Sequence, residues 1–155
     1  AKRRVTVVFH NTLASSEYGL LDQRDFSPRP NYWAALLWRR LMGTGVLDAG
    51  PSRPGLHLYA QCMRGHPGGV TLLAINNSST REESVDVPLA AERYTLTAAK
   101  LEDTSVQLNG HALALGANDA LPALPGVHVP AGSVALAPVS ITFLTMGDAG
   151  NPGCH

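Results

Sequence analysis

The chain has 155 residues, 45% of them apolar and only 15% charged, enough for a buried core and unlike a disordered composition. Its 12 basic and 12 acidic residues cancel, which excludes a global field that would gather nucleic acid or an anionic membrane. No apolar run reaches the roughly 18 residues that a bilayer-spanning helix needs.

The first residues, Ala1-Lys2-Arg3-Arg4-Val5, are basic but lead into no signal-peptide core or cleavage site, as if the chain were entered partway through a domain. Residues 5–9 form a β-branched and aromatic run, which predicts a strand buried on both faces, as in parallel sheets covered by helices. A polar, small-residue loop follows from His10 to Gly19. Residues 31–41 predict a helix, with Pro28 and Pro30 just ahead of it, where a missing N–H matters least. Trp33, Leu37 and Leu41 share one stripe, and Tyr32, Leu36 and Arg40 the next. This broad face is suited to packing on a barrel. Arg39 and Arg40 oppose the helix dipole in the last turn, and Gly43 is placed to end the helix. The order is strand, long polar loop, helix.

Composition changes near residue 48. Beyond it, short alternating or β-branched runs occupy residues 56–62, 70–76, 83–87, 93–98, 106–108, 111–115, 127–129, 133–136 and 139–146. Asn109-Gly110 between apolar residues is a hairpin signal. Short strands with turns at this spacing predict an antiparallel sandwich. Glu82-Glu83 follows a turn and reads as a solvated hairpin. There is no internal repeat.

Cys62 and Cys154 have neither zinc-ligand nor Cys-x-x-Cys spacing, so the residues alone leave two free thiols or one bridge open. A bridge would imply an oxidising compartment. His57, His66, His111, His128 and His155 are scattered without metal-ligand spacing. Asn76-Asn77-Ser78 and Asn77-Ser78-Ser79 both satisfy the N-glycosylation sequon, which matters in a eukaryotic secretory host.

Four stretches carry a resemblance. The first is Pro28-Arg29-Pro30-Asn31-Tyr32-Trp33 with Leu36-Leu37-Trp38-Arg39-Arg40-Leu41-Met42-Gly43-Thr44-Gly45-Val46-Leu47. The others are Thr71-Leu72-Leu73-Ala74-Ile75-Asn76, Ser105-Val106-Gln107-Leu108-Asn109-Gly110 and Pro138-Val139-Ser140-Ile141-Thr142-Phe143. In this order they resemble the heparanase and β-glucuronidase family, glycoside hydrolase family 79, over essentially the whole chain.

The resemblance implies an α/β plus all-β architecture. Residues 1–48 would be the last β-α unit of a (β/α)8 TIM barrel, and residues 49–155 an antiparallel β-sandwich. It implies retaining catalysis by two glutamates about 5–5.5 Å apart. Both belong to earlier barrel strands, and Glu17, Glu82, Glu83, Glu92 and Glu102 do not match them. No catalytic residue is therefore expected in this chain. An N-terminal chain or preceding segment would supply them as its partner, with a glycosaminoglycan as substrate and no cofactor or metal.

Barrel active sites lie on the loops after the strands. In the family this loop grips the glucuronate carboxylate with a tyrosine hydroxyl and a backbone N–H two residues earlier. Tyr18 matches the tyrosine, and Ser16 the preceding position, where the family has glycine. His10 falls where the family often has glutamine, at the barrel mouth. Neutral donors suit a carboxylate, which only accepts. Arg24 and Arg29 are the local candidates for sulfate recognition. Cys62 and Cys154 coincide with family cysteines that form a bridge, which would pin the polar tail of residues 147–155. A bridge favours a secreted or periplasmic location, or a lysosomal one in a eukaryote. The resemblance favours endo-acting cleavage of heparan-sulfate-like chains. An exo-acting β-glucuronidase and a non-catalytic carbohydrate-binding sandwich are the alternatives.

Overall fold

The computed structural model describes residues 9–10, 12–100 and 102–155. The first predicted strand lies outside these residues except for Phe9, whose side chain is exposed.

Helix α1 spans Pro30–Leu41, with Pro30 in its first turn and Arg39 and Arg40 in its last. Its end differs from the sequence expectation. The N–H of Met42 closes the final turn on the Trp38 carbonyl, and Met42 itself is extended, with φ −94° and ψ 128°. Strand β1, Met42–Leu47, begins there without an intervening loop. Gly43 is thus a strand residue and not a helix terminator. Its glycine is required by proximity: a Cβ at Gly43 would stand 2.6 Å from the carbonyl oxygen of Cys62, and one at Gly45 2.6 Å from Cys62 Sγ.

The remaining strands are β2 (Leu56–Met63), β3 (Val70–Asn76), β4 (Glu83–Val87), β5 (Ala91–Thr97), β6 (Gln107–Leu108), β7 (His111–Ala112), β8 (Val127–Val129), β9 (Gly132–Leu136) and β10 (Ser140–Met146). Pairing among the named strands is antiparallel throughout. One sheet runs β1-β2-β3-β10-β5-β6-β7, with β8 also on β5, and β4 and β9 form a separate ribbon. The last strand in sequence is therefore central, hydrogen-bonded to β3 and β5.

Alternation along β10 sorts the layers, since neighbouring side chains leave a strand on opposite faces. Phe143 joins Trp33, Leu37, Leu73 and Leu96 in the cluster under the helix. Leu144 and Met146 join Val87 and Val134 in the cluster under the ribbon. Leu56, Ala74 and Leu136 extend that second contact. The helix stripe expected to pack on a barrel instead covers the large sheet, because Leu73 and Phe143 stand side by side on β3 and β10 beneath it. Burying side chains of this size contributes about 1.5–3 kcal/mol each. The result is an antiparallel sandwich with a two-stranded ribbon on one face and α1 on the other. Strand β1 precedes residue 48 yet pairs with β2, so residues 30–47 pack continuously with the sandwich.

Two polar anchors fix the ends of this core. Asn76 is buried, and its Nδ2 donates to the carbonyls of Arg81, Leu136 and Ala137 at 2.8, 3.0 and 3.1 Å. Its Oδ1 accepts from the Ser78 N–H at 3.0 Å. One side chain thereby joins β3, the following turn and the end of β9. Asn109 and Gly110 adopt φ of 50° and 87°, the left-handed pair of a tight hairpin turn. Asn109 also accepts from the Thr95 N–H and donates to the Arg93 and Pro125 carbonyls.

Cys62 and Cys154 form a disulfide, with Cα atoms 5.2 Å apart. The tail is held further by Gly68 N–H to Cys154 O and by Asn151 N–H to Gly68 O. The acidic pair Glu82-Glu83 is split. Glu82 is exposed, whereas Glu83 is largely covered and accepts from Arg81 at 2.6 Å and Arg53 at 3.2 Å. Glu83 is therefore an ion-pair centre and not a solvated residue, because the β4-β9 ribbon brings it beside residues 53 and 81.

Candidate functional site

The loop ahead of α1 is built by contacts to the helix lead-in. The Thr12 hydroxyl accepts from the Ser15 N–H, and the Leu13 carbonyl accepts from Leu21. The Ser16 carbonyl accepts from the Gly19 N–H at 3.0 Å, closing a turn around Glu17 and Tyr18. Gly19 is packed so tightly that a Cβ there would lie 2.8 Å from the Leu13 carbonyl oxygen. Asn31, in the first turn of α1, donates from Nδ2 to the Tyr18 and Gly19 carbonyls at 3.2 and 3.3 Å. Arg29 donates to the Glu17 carbonyl and forms a 3.0 Å ion pair with Asp22. The backbone of the Tyr18 turn is thus clamped from below by two residues at the helix entrance.

The Tyr18 side chain points out of this clamp and is 58% exposed. Its ring meets His10 edge to face, with centroids 6.2 Å apart and planes at 81°. Two of the residues singled out from sequence are therefore brought together. Ser16 lies two residues before Tyr18 in the same turn. Its Oγ is buried without a hydrogen-bond partner, and none of the described backbone hydrogen bonds uses its N–H. The sequence reading valued Ser16 only for its amide; the hydroxyl that serine brings in place of glycine lies buried and unpartnered in the turn. Asn11, a further polar candidate next to His10, lies outside the described residues. Arg29 is committed to Asp22 and Glu17 and is not available as a free cation, whereas Arg24 is exposed.

A groove opens beside this loop. It has a volume of about 1420 Å³ and separates residues 17–33 from residues 103–121. Glu17, Asp22, Asp25, Asp103 and Asp119 line it against only Arg24 and Arg29. Asp25 is held below its ordinary pKa by the Ser27 backbone N–H and side chain. No group of three or more metal-ligating side chains occurs among the described residues.

No protein-family model matches the chain. Heparanase of Mus musculus is 34% identical over 156 residues, which is 90% of this chain and 29% of that protein. Baicalin-beta-D-glucuronidase of Scutellaria baicalensis is 34% identical over 144 residues, 86% of this chain and 27% of that protein. The chain belongs to the heparanase and β-glucuronidase family of glycoside hydrolases. It spans less than a third of the length of these two relatives. Inactive heparanase-2 of Homo sapiens also matches, at 29% identity over 100% of this chain and 30% of that protein. Among solved structures, the glycoside hydrolase family 30 subfamily 8 xylanase Xyn30A of Clostridium acetobutylicum superposes with a TM-score of 0.53 over 86% of this chain and 32% of that one. At 16% identity this likeness speaks for the fold alone. The Cys62–Cys154 bridge that the resemblance implies is present in this chain.

Proposed function

We propose that this chain is the C-terminal portion of a retaining β-glucuronidase of the heparanase type, acting on glucuronate linkages in heparan-sulfate-like glycosaminoglycans. The observation that carries the reading is the 34% identity to a heparanase across 90% of the chain. The geometry adds to it. Tyr18, exposed and with its backbone clamped, and Ser16, whose N–H has no partner among the described residues, are neutral donors two residues apart. A glucuronate carboxylate is an acceptor-only group, and neutral donors bind it without introducing a competing base. His10, in contact with the Tyr18 ring, is placed to meet a sugar hydroxyl.

In this reading the general acid/base and the nucleophile are glutamates of the preceding portion of the enzyme, which completes the barrel and covers the exposed Phe9 and Leu13. A secreted or lysosomal location fits the disulfide, which persists in oxidising compartments. Exo-action on small glucuronides is the second reading. The glucuronidase from Scutellaria baicalensis matches at the same 34% identity as the mouse heparanase, so similarity does not rank the two.

The test is purification of the native enzyme with glucuronidase activity followed throughout. Intact mass and gels with and without reductant are expected to place this sequence in a longer polypeptide, or with a second one, in the active fraction. A folded, solitary species of about the chain's own 16.4 kDa, inactive on every glucuronide, would favour a free-standing carbohydrate-binding sandwich instead.

A further inference from the structure

Two overlapping sequons occupy the end of β3 and the turn after it, and the fold treats their asparagines in opposite ways. Asn76 is 1% exposed, and its Nδ2 serves the Arg81, Leu136 and Ala137 carbonyls. A sugar on that nitrogen would remove one of its two hydrogens and occupy the space of the β9 carbonyls. Asn77 is exposed. Its backbone is fixed by donation to the Gly55 carbonyl at 2.9 Å, and its Nδ2 faces only His57 Nε2, at 3.3 Å. Ser79, the hydroxyl residue of its sequon, is exposed as well.

We propose that Asn77 is an N-linked glycosylation site and that Asn76, although it satisfies the same sequon, is a structural residue that never carries sugar in the folded protein. The co-substrate class is an oligosaccharide linked to a lipid diphosphate. A bond forms between Asn77 Nδ2 and the anomeric carbon of the first sugar. The bond from that carbon to the lipid diphosphate breaks, and Nδ2 gives up one proton. The proposal rests on the secretory location inferred above, which the plant and animal relatives and the disulfide support. Overlap sharpens the outcome: a chain modified at Asn76 before folding loses the anchor between β3 and β9, so only the Asn77 form passes through folding.

The sequons can be separated by single substitutions. Ser78→Ala abolishes the Asn76 sequon and keeps that of Asn77, whereas Ser79→Ala does the reverse. Ser78 Oγ accepts from the Arg81 N–H, so Ser78→Ala is the more disturbing change, and Ser79→Ala and Asn77→Gln stand beside it as independent variants. The full-length enzyme is expressed through a eukaryotic secretory pathway. Its intact mass is compared before and after peptide-N-glycosidase, and the converted asparagine is located by peptide mass. Free thiols are counted in the same sample. The expected result is one glycan at Asn77 in the wild type, retained in Ser78→Ala and lost in Ser79→Ala and Asn77→Gln. A secreted, bridged wild type that is bare at Asn77, or that carries its glycan at Asn76, overturns the proposal alone. An unbridged, unglycosylated protein overturns both the proposal and the secretory location.

Discussion

The imidazole of His10 and the phenol of Tyr18 meet edge to face across a turn whose backbone is tied to the start of α1 by Asn31. The contact orients the Tyr18 ring without using its hydroxyl. Tyr18→Phe therefore keeps the ring pair and removes one donor to the substrate carboxylate. A hydrogen bond to a charged acceptor contributes about 1.5–3 kcal/mol, so kcat/KM for a glucuronide is expected to fall about 10- to 150-fold in the complete enzyme. Activity toward the matching glucoside, which lacks the carboxylate, should not move. Equal losses on both substrates would make Tyr18 a packing residue.

Gly43 and Gly45 lie against Cys62, and the bridge to Cys154 leaves no slack there. Gly43→Ala drives a methyl group into a backbone oxygen. Overpacking of this kind costs about 1–3 kcal/mol. Denaturant unfolding should report a loss in that range for Gly43→Ala, with Thr44→Ala, at an exposed neighbour, close to wild type. Replacing both cysteines by serine should cost about 2–5 kcal/mol.

Asn76→Asp exchanges a donor to three carbonyls for a carboxylate pointed at them. Unpaired buried acceptors and an uncompensated charge together should lower stability by about 3 kcal/mol or more. Hydrogen exchange should show faster opening of β9 and of residues 77–82 than of β5. A change confined to the substituted residue would contradict the anchoring role.

Tyr94 is half-buried on β5, and burial first, then the nearby Glu92 charge, raise its pKa above the ordinary 10.0. The raised value favours the neutral phenol in the folded state. Its contribution to stability is therefore complete below pH 10 and is lost as pH rises through the folded value. Wild type should lose unfolding free energy above about pH 10 more steeply than Tyr94→Phe. Parallel curves for the two proteins above that pH would remove Tyr94 from the alkaline transition.

The sandwich was legible where strands are buried on both faces. Residues 139–146 read as a strand because β10 meets the helix with Phe143 and the ribbon with Leu144, so apolar and β-branched residues run along both faces. Strand β1 was not legible. It is an edge strand with one exposed face, and its glycines look like a helix stop until Cys62 is seen to fill the space beside them. Asn76 was read only as part of a sequon, and Glu83 as solvated, for a related reason: their partners lie on β9 and at residue 53, and no local pattern announces a contact across the sheet. At the site, Tyr18, Ser16 and His10 were legible only through the family resemblance. The commitment of Arg29 to Asp22 and the Glu17 carbonyl, and the unpartnered Ser16 hydroxyl, depend on how the loop folds back on itself.

The disulfide encloses every strand from β3 to β10 in one covalent ring. A protease that cuts once between residues 62 and 154, for example in the long connection from β7 to β8, opens the ring without releasing a piece. The nicked molecule keeps its mass on a non-reducing gel, changed only by one water, and both halves remain tethered within reach of the sheet they share. Damage of this kind would accumulate unseen in an oxidising compartment and appear as two fragments only when the bond is reduced.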